Sequence, residues 1–76
     1  MYYAIEKLLY NEYFVARYDE NDVLTFDHKY RVLSLKAAAI TVKDCFKNYG
    51  KLPVYIYDTT GKLEILEEAL DALANS

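Results

Sequence analysis

The chain has 76 residues and a net charge of -3 at neutral pH. This length predicts one domain, residues 1–76, which buries only about 60% of the surface that its unfolded chain exposes. A hydrophobic content of 54% excludes a disordered chain, and the acidic balance argues against non-specific binding to nucleic acid. Glu6 and Lys7 interrupt any signal peptide and no transmembrane run is present, so we expect a cytoplasmic protein without membrane contact.

The first half of the chain alternates apolar and polar residues, as half-buried antiparallel strands do. This pattern predicts strands at residues 2–9, 13–18 and 24–32. The apolar residues of the first segment also fit a helical stripe, but its tyrosines and isoleucine favour a strand. In the third segment an alternative is a turn at residues 27–29 between two shorter strands.

A helix is predicted at residues 35–49, where apolar residues recur at helical spacing. Ser34 is placed to cap its first turn, and Gly50 supplies the backbone conformation that ends a helix. Val42 and Phe46 lie at the centre of the apolar stripe, so we expect both side chains to be nearly fully buried.

The last part of the chain predicts a hairpin and a short helix. Residues 54–57 and 62–65 are strands around a turn that contains Gly61, and residues 66–74 are rich in leucine and alanine. The complete order predicts an α+β fold. It is a small antiparallel sheet of four to five strands with one long helix packed on a face and a short C-terminal helix.

No set of residues predicts catalysis. His28 is the only histidine, and Asp27 cannot orient it because adjacent residues on a strand point to opposite faces. Cys45 is the only cysteine and lies on the inward side of the predicted helix, which favours a buried packing role. We therefore expect a non-enzymatic protein with no cofactor and no metal ion.

The nine tyrosines predict a surface that binds another protein, because tyrosine is enriched at interfaces. Residues 2–5 contain no charge or proline to protect a sheet edge, so we expect residues 2–9 to form a symmetric homodimer. The residues predicted to bind a partner are Tyr2, Tyr3, Ile5, Tyr13, Tyr55 and Tyr57. Of these, Tyr13, Tyr55 and Tyr57 contribute if their faces align with that of residues 2–9.

Basic residues offer an alternative, since aromatic and basic side chains together bind single-stranded nucleic acid. The candidate residues are three on the long helix and three on the strands: Lys36, Lys43, Lys47, Arg17, Lys29 and Arg31. The favoured prediction is nevertheless an adaptor or inhibitor that occupies a surface of another protein. Its size and lack of catalytic groups are typical of small proteins carried by phages and mobile elements.

Overall fold

The computed structural model describes the backbone of the whole chain and every side chain except those of Leu9 and residues 26–30. Five strands and two α-helices follow one another along it, with a short 3-10 helix (Leu9–Asn11) between the first two strands. In chain order they are β1 (Tyr2–Lys7), β2 (Tyr13–Tyr18), β3 (Leu24–Val32), α1 (Leu35–Tyr49), β4 (Val54–Asp58), β5 (Gly61–Ile65) and α2 (Glu67–Ala74).

The strands form one mixed sheet in the order β3-β2-β1-β4-β5. Neighbouring strands are antiparallel except β1 and β4, which are parallel. The α+β class is confirmed, but the prediction of a purely antiparallel sheet is wrong. The reason is the number of strands before the helix. After a three-stranded meander β3 runs in the same direction as β1, and α1 then returns the chain so that β4 also runs that way.

β1 is the central strand of the sheet, with β2 on one side and β4 on the other. Its backbone is therefore paired along both edges. The prediction that residues 2–9 form a free edge for a homodimer is wrong, because the parallel partner β4 comes from the far end of the chain and occupies that edge.

Both helices pack on one face of the sheet, and the core lies between them and that face. Val42 is fully buried and Cys45 is nearly so, as the helical spacing predicts. Phe46 is only half-buried, so the expectation of nearly complete burial is wrong for this residue. Its ring lines an open surface groove that also borders Leu52 and Pro53, and this exposes part of it.

The helices agree with the sequence pattern. α1 spans Leu35–Tyr49, the predicted range, and α2 begins at Glu67 and ends at Ala74. Gly50 follows α1 with a φ of 101°, a region that favours glycine. Within the described part of the chain, neither helix is long and apolar enough to cross a membrane.

Ser34 caps α1 as predicted, since its Oγ accepts a hydrogen bond of 3.0 Å from the backbone N–H of Ala37. We expect Ser34→Ala to lower the free energy of unfolding by about 1 kcal/mol, because this amide loses its acceptor. Urea denaturation followed by circular dichroism measures the change. Ser76→Ala is the matched control at the chain end, and an equal loss in both variants would contradict the capping role.

β3 is assigned as one strand from Leu24 to Val32, the predicted range. The predicted alternative of a turn at residues 27–29 falls where the side chains lie outside the described residues, and it stays a prediction. Its register against β2 shifts by three residues between Val15 and Arg17, because Val15 is paired with Tyr30 but Arg17 is paired with Thr25. The side chains of His28 and Lys29 lie outside the described residues.

Candidate interaction surface on the open face of the sheet

The face of the sheet opposite the helices, here called the open face, carries four tyrosines. Side chains alternate between the two faces along a strand, and directly paired residues share a face. Tyr3, Val15 and Val54 belong to the core, so the neighbouring positions point to the open face. The resulting tyrosine cluster consists of Tyr2 on β1, Tyr18 on β2, Tyr55 and Tyr57 on β4, and Lys62 on β5.

The rings of the tyrosine cluster pack against one another. Tyr2 stacks on Tyr18 with ring centroids 5.1 Å apart and an interplanar angle of 20°. Tyr55 meets Tyr2 edge-on at 5.4 Å and 89°. Such pairs contribute about 0.5–1.5 kcal/mol beyond the area that they bury. The Tyr57 hydroxyl donates to the Tyr2 hydroxyl oxygen over 3.5 Å, which links the fourth ring to the others.

Lys62 places its ammonium group over this cluster. Its Nζ lies 4.2 Å from the ring centroid of Tyr55, 4.7 Å from that of Tyr2 and 5.7 Å from that of Tyr57. These distances are within the range of cation–π attraction. The cluster therefore presents a positive charge at the centre of an aromatic surface.

Two alanines form the floor of the open face. Ala4 and Ala16 are paired across β1 and β2, and they are 0% and 1% exposed although no helix packs on this side. The large side chains around them on the same face shield them from water. The tyrosine rings therefore cover the two alanines, and their packing against one another restricts the orientation of each ring.

Tyr18 is held by Glu6, whose Oε1 accepts a hydrogen bond of 2.9 Å from the Tyr18 hydroxyl. Burial, together with this carboxylate, raises the pKa of Tyr18 to about 12. Burial is the larger cause because it disfavours the charged phenolate, and the carboxylate of Glu6 raises the pKa further.

The raised pKa of Tyr18 predicts a loss of stability in alkaline solution. The unfolded phenol ionises near pH 10, so the stability from this group is fully present below that pH and is lost as the pH rises towards about 12. The difference in phenolate absorbance between wild type and Tyr18→Phe reports this titration. Glu6→Gln should lower the pKa of Tyr18, and an unchanged titration in that variant would contradict the role of Glu6.

The structure separates the six residues predicted to bind a partner. Tyr2, Tyr55 and Tyr57 do lie together, and their binding role stays a prediction. Tyr3 and Ile5 are 0% exposed in the core. The remaining one, Tyr13, is half-buried against the core on the helix-covered face. The six residues therefore do not share one surface, because alternation along the strands places these three residues on the opposite face. A role of the six residues in binding a partner stays a prediction.

The tyrosine cluster also contains two residues that the sequence-based prediction missed, Tyr18 and Lys62. The alternation of β2 places Tyr18 on one face with Phe14 and Ala16, but it does not show that this face meets Tyr2. That contact depends on the register between β1 and β2. Similarly, Lys62 reaches the cluster because it is paired with Tyr57 across the hairpin.

The basic residues predicted on the strands do not form one patch. Arg17 is paired with Tyr3 and therefore points to the helix-covered face, away from the tyrosine cluster. Its Nε is buried without a hydrogen-bond partner among the described residues. Arg31 lies on the open face, with its guanidinium 5.2 Å from the Phe14 ring centroid and 3.5 Å from Glu12.

The basic residues of α1 lie on the far side of the molecule from the tyrosine cluster, since α1 packs on the other face of the sheet. Lys36 and Lys47 are exposed. Lys43 instead lies 2.7 Å from the carboxylate of Asp71 and connects α1 with α2. The aromatic and basic parts of the predicted nucleic-acid site are therefore not brought together.

Cys45 is 3% exposed, and burial raises the pKa of its thiol. Both observations disfavour the thiolate that a cysteine nucleophile requires. Among the described residues, no group of three or more histidine, cysteine, aspartate or glutamate side chains is placed to hold a metal ion. The tyrosine cluster is thus the strongest candidate site on the described surface.

Comparison with protein-family models, curated proteins and solved structures finds no match for this chain.

Proposed function

We propose that the protein is a non-enzymatic interaction module that binds another protein through the tyrosine cluster, and that it acts as an adaptor or inhibitor by occupying the partner's surface. The observation that carries this proposal is the packing of four tyrosine rings and one lysine on an otherwise open sheet face. Tyrosine combines a large apolar ring with a hydroxyl that can bond a polar partner.

The packing within the cluster favours binding because it limits the entropy lost on association. Tyr2 is already restrained by Tyr18 and Tyr55, and Tyr18 is restrained by Glu6. Ordering a mobile side chain at an interface costs about 0.5–1.5 kcal/mol. Rings that are ordered before binding avoid most of that cost.

The charges on the open face favour a protein over a nucleic acid. Lys62 shares this face with Glu6 and Glu64, and Arg31 is paired with Glu12. Phosphate backbones select surfaces with a clear positive excess. A balanced set of charges around aromatic rings instead resembles the polar rim and aromatic centre of a protein interface.

Binding of single-stranded nucleic acid is a second candidate, favoured by the position of Lys62 over three rings. A base could stack on an exposed ring while the ammonium group contacts phosphate. The geometry limits this mode, because the faces of Tyr2 and Tyr18 are already stacked on each other. Salt-dependent fluorescence anisotropy with labelled oligonucleotides distinguishes the two candidates.

Photo-crosslinking in native host cells tests the proposed function. Tyr57 is replaced by p-benzoylphenylalanine, which keeps an aromatic ring on the open face. The matched control carries the same replacement at Tyr49, which is 47% exposed on α1. We expect a discrete protein adduct from position 57 that is absent from position 49. Adducts from position 49 alone, or adducts with nucleic acid only, would refute the proposal.

A further inference from the structure

β5 is a terminal strand of the sheet and is hydrogen-bonded to β4 alone. Its outer edge therefore carries backbone N–H and C=O groups that no other strand of the sheet pairs. An edge of this kind is a template for another strand unless charge, proline or a covering element blocks it. β5 contains no proline, and its two charged residues, Lys62 and Glu64, have opposite signs.

An apolar groove of about 590 Å³ runs beside this edge, between β5 and α2. Leu63 is 70% exposed and Leu66 is 69% exposed, and both line the groove. The α2 side of the groove is lined by two alanines, one glutamate and one leucine: Ala69, Ala72, Glu68 and Leu73. Exposed apolar surface beside an unpaired strand marks an interface rather than a solvated rim.

The charges of β5 select one way in which it can pair with itself. In a regular antiparallel pair, every second residue directs its backbone N–H and C=O groups to the partner strand, and these residues lie opposite one another. When β5 pairs with its own copy, the two-fold axis therefore passes through a residue that lies opposite its own copy. The central candidates for that residue are Lys62, Leu63 and Glu64. An axis at Lys62 or Glu64 places that charge opposite its own copy, which is destabilising. An axis at Leu63 places each Lys62 opposite a Glu64 of the other copy.

We infer that β5 pairs in an antiparallel manner with β5 of a second copy of this chain, about a two-fold axis at Leu63. Two Lys62–Glu64 contacts then form on the open face, and the two Leu63 side chains meet on the helix-covered face. Pairing of a five-residue strand alone covers little surface, whereas a specific interface buries roughly 1,000 Å² or more. The apolar groove with Leu66 contributes the additional area, since the second copy's strand and helix lie over it.

This association joins the two sheets into one and places two tyrosine clusters on the same continuous open face. A partner with repeated sites would then be bound at two points, which increases the overall affinity without new contacts. The inference does not depend on the proposed function, because it is argued from the unpaired edge of β5 and the groove beside α2, although Lys62 takes part in both sites.

Charge exchange at Lys62 and Glu64 tests the register. Sedimentation equilibrium should detect a dimer of the wild-type chain at micromolar to millimolar concentrations. Glu64→Lys creates two lysine pairs per dimer and should weaken association by about tenfold or more. The double variant Lys62→Glu/Glu64→Lys should restore it, as should mixing Glu64→Lys with Lys62→Glu. A monomeric wild type, or equal association of single and double variants, would overturn the inference.

A cysteine at position 63 provides an independent test. Directly opposed residues in an antiparallel pair have Cα atoms about 4.5–5.5 Å apart, within the range that a disulfide spans. Leu63→Cys should therefore give a disulfide-linked dimer on mild oxidation. The matched control is Glu64→Cys, whose copies are diagonal to each other and should crosslink far less. The wild-type chain is the blank, because its only cysteine is buried. Equal crosslinking at both positions would contradict an axis at Leu63.

Discussion

Replacing Tyr3 by alanine should lower the free energy of unfolding by about 3–5 kcal/mol, the range for removing a buried aromatic ring. Tyr3 is 0% exposed at the centre of the sheet, and its ring packs against Phe46 with centroids 5.6 Å apart. Small domains are stable by only about 5–15 kcal/mol. The Tyr3→Ala chain should therefore retain only a small part of its stability. Urea denaturation measures its free energy of unfolding directly.

Two controls separate the contributions of Tyr3. Its hydroxyl lies 2.9 Å from the Gly50 carbonyl oxygen and 3.2 Å from that of Cys45, and it donates to these backbone acceptors. Tyr3→Phe removes this bond alone and should cost about 1 kcal/mol. Tyr10→Ala makes the same truncation at a side chain that is 93% exposed, and it should change stability by less than about 0.5 kcal/mol. Similar losses at Tyr3 and Tyr10 would mean that β1 is not the buried central strand.

The individual helices and strands were predictable because their signals are local. The spacing of Val42, Cys45 and Phe46 specifies one face of a helix, and Ser34 with Gly50 marks its ends. The alternation from Leu24 to Val32 likewise identifies a strand without knowledge of its neighbours. The structure keeps both elements, but the register shift of β3 pairs Leu24 with Tyr18 on the open face and Val32 with Tyr13 on the helix-covered face, so the two residues do not share a face.

The order of the strands was not predictable, because it depends on contacts between distant parts of the chain. The alternation in β1 shows that Tyr3 and Ile5 share a face, but it cannot say what covers that face. From the sequence alone, two apolar residues on one face of a strand without a nearby charge fit an interface with another protein as well as they fit the core. The parallel partner Val54–Asp58 lies about fifty residues away in sequence, and its pairing decides the question.

The tyrosine cluster was half predictable for the same reason. Composition indicates that nine tyrosines exceed what a small core can hold, and it therefore predicts an aromatic surface. The register between neighbouring strands decides which tyrosines belong to the cluster. Tyr2 and Tyr3 are adjacent in sequence, yet one joins the cluster and the other the core. Tyr18 and Lys62 join only because β2 and β5 are paired where they are.

Replacing Leu70 by alanine is the second large effect that we expect, at about 2–5 kcal/mol of unfolding free energy. Leu70 is 0% exposed and is the one fully buried side chain of α2. It packs into the core with Val54 and Ile65. Truncation leaves a cavity beneath α2. Leu73 and Ala74 also pack against the core, but they are only partly buried and leave Leu70 as the main apolar contact of the helix.

The neighbouring ion pair provides the comparison that decides what holds α2 in place. Lys43 and Asp71 are 2.7 Å apart, but their side chains are 41% and 45% exposed. Exposed pairs contribute about 0–1 kcal/mol, so Asp71→Asn should cost much less than Leu70→Ala. Leu33→Ala, at a leucine that is 75% exposed, controls for the chemical change and should be nearly neutral. Hydrogen exchange of the α2 amides in these variants shows where the loss occurs. If Asp71→Asn releases α2 and Leu70→Ala does not, then electrostatic attraction rather than apolar burial docks the C-terminal helix.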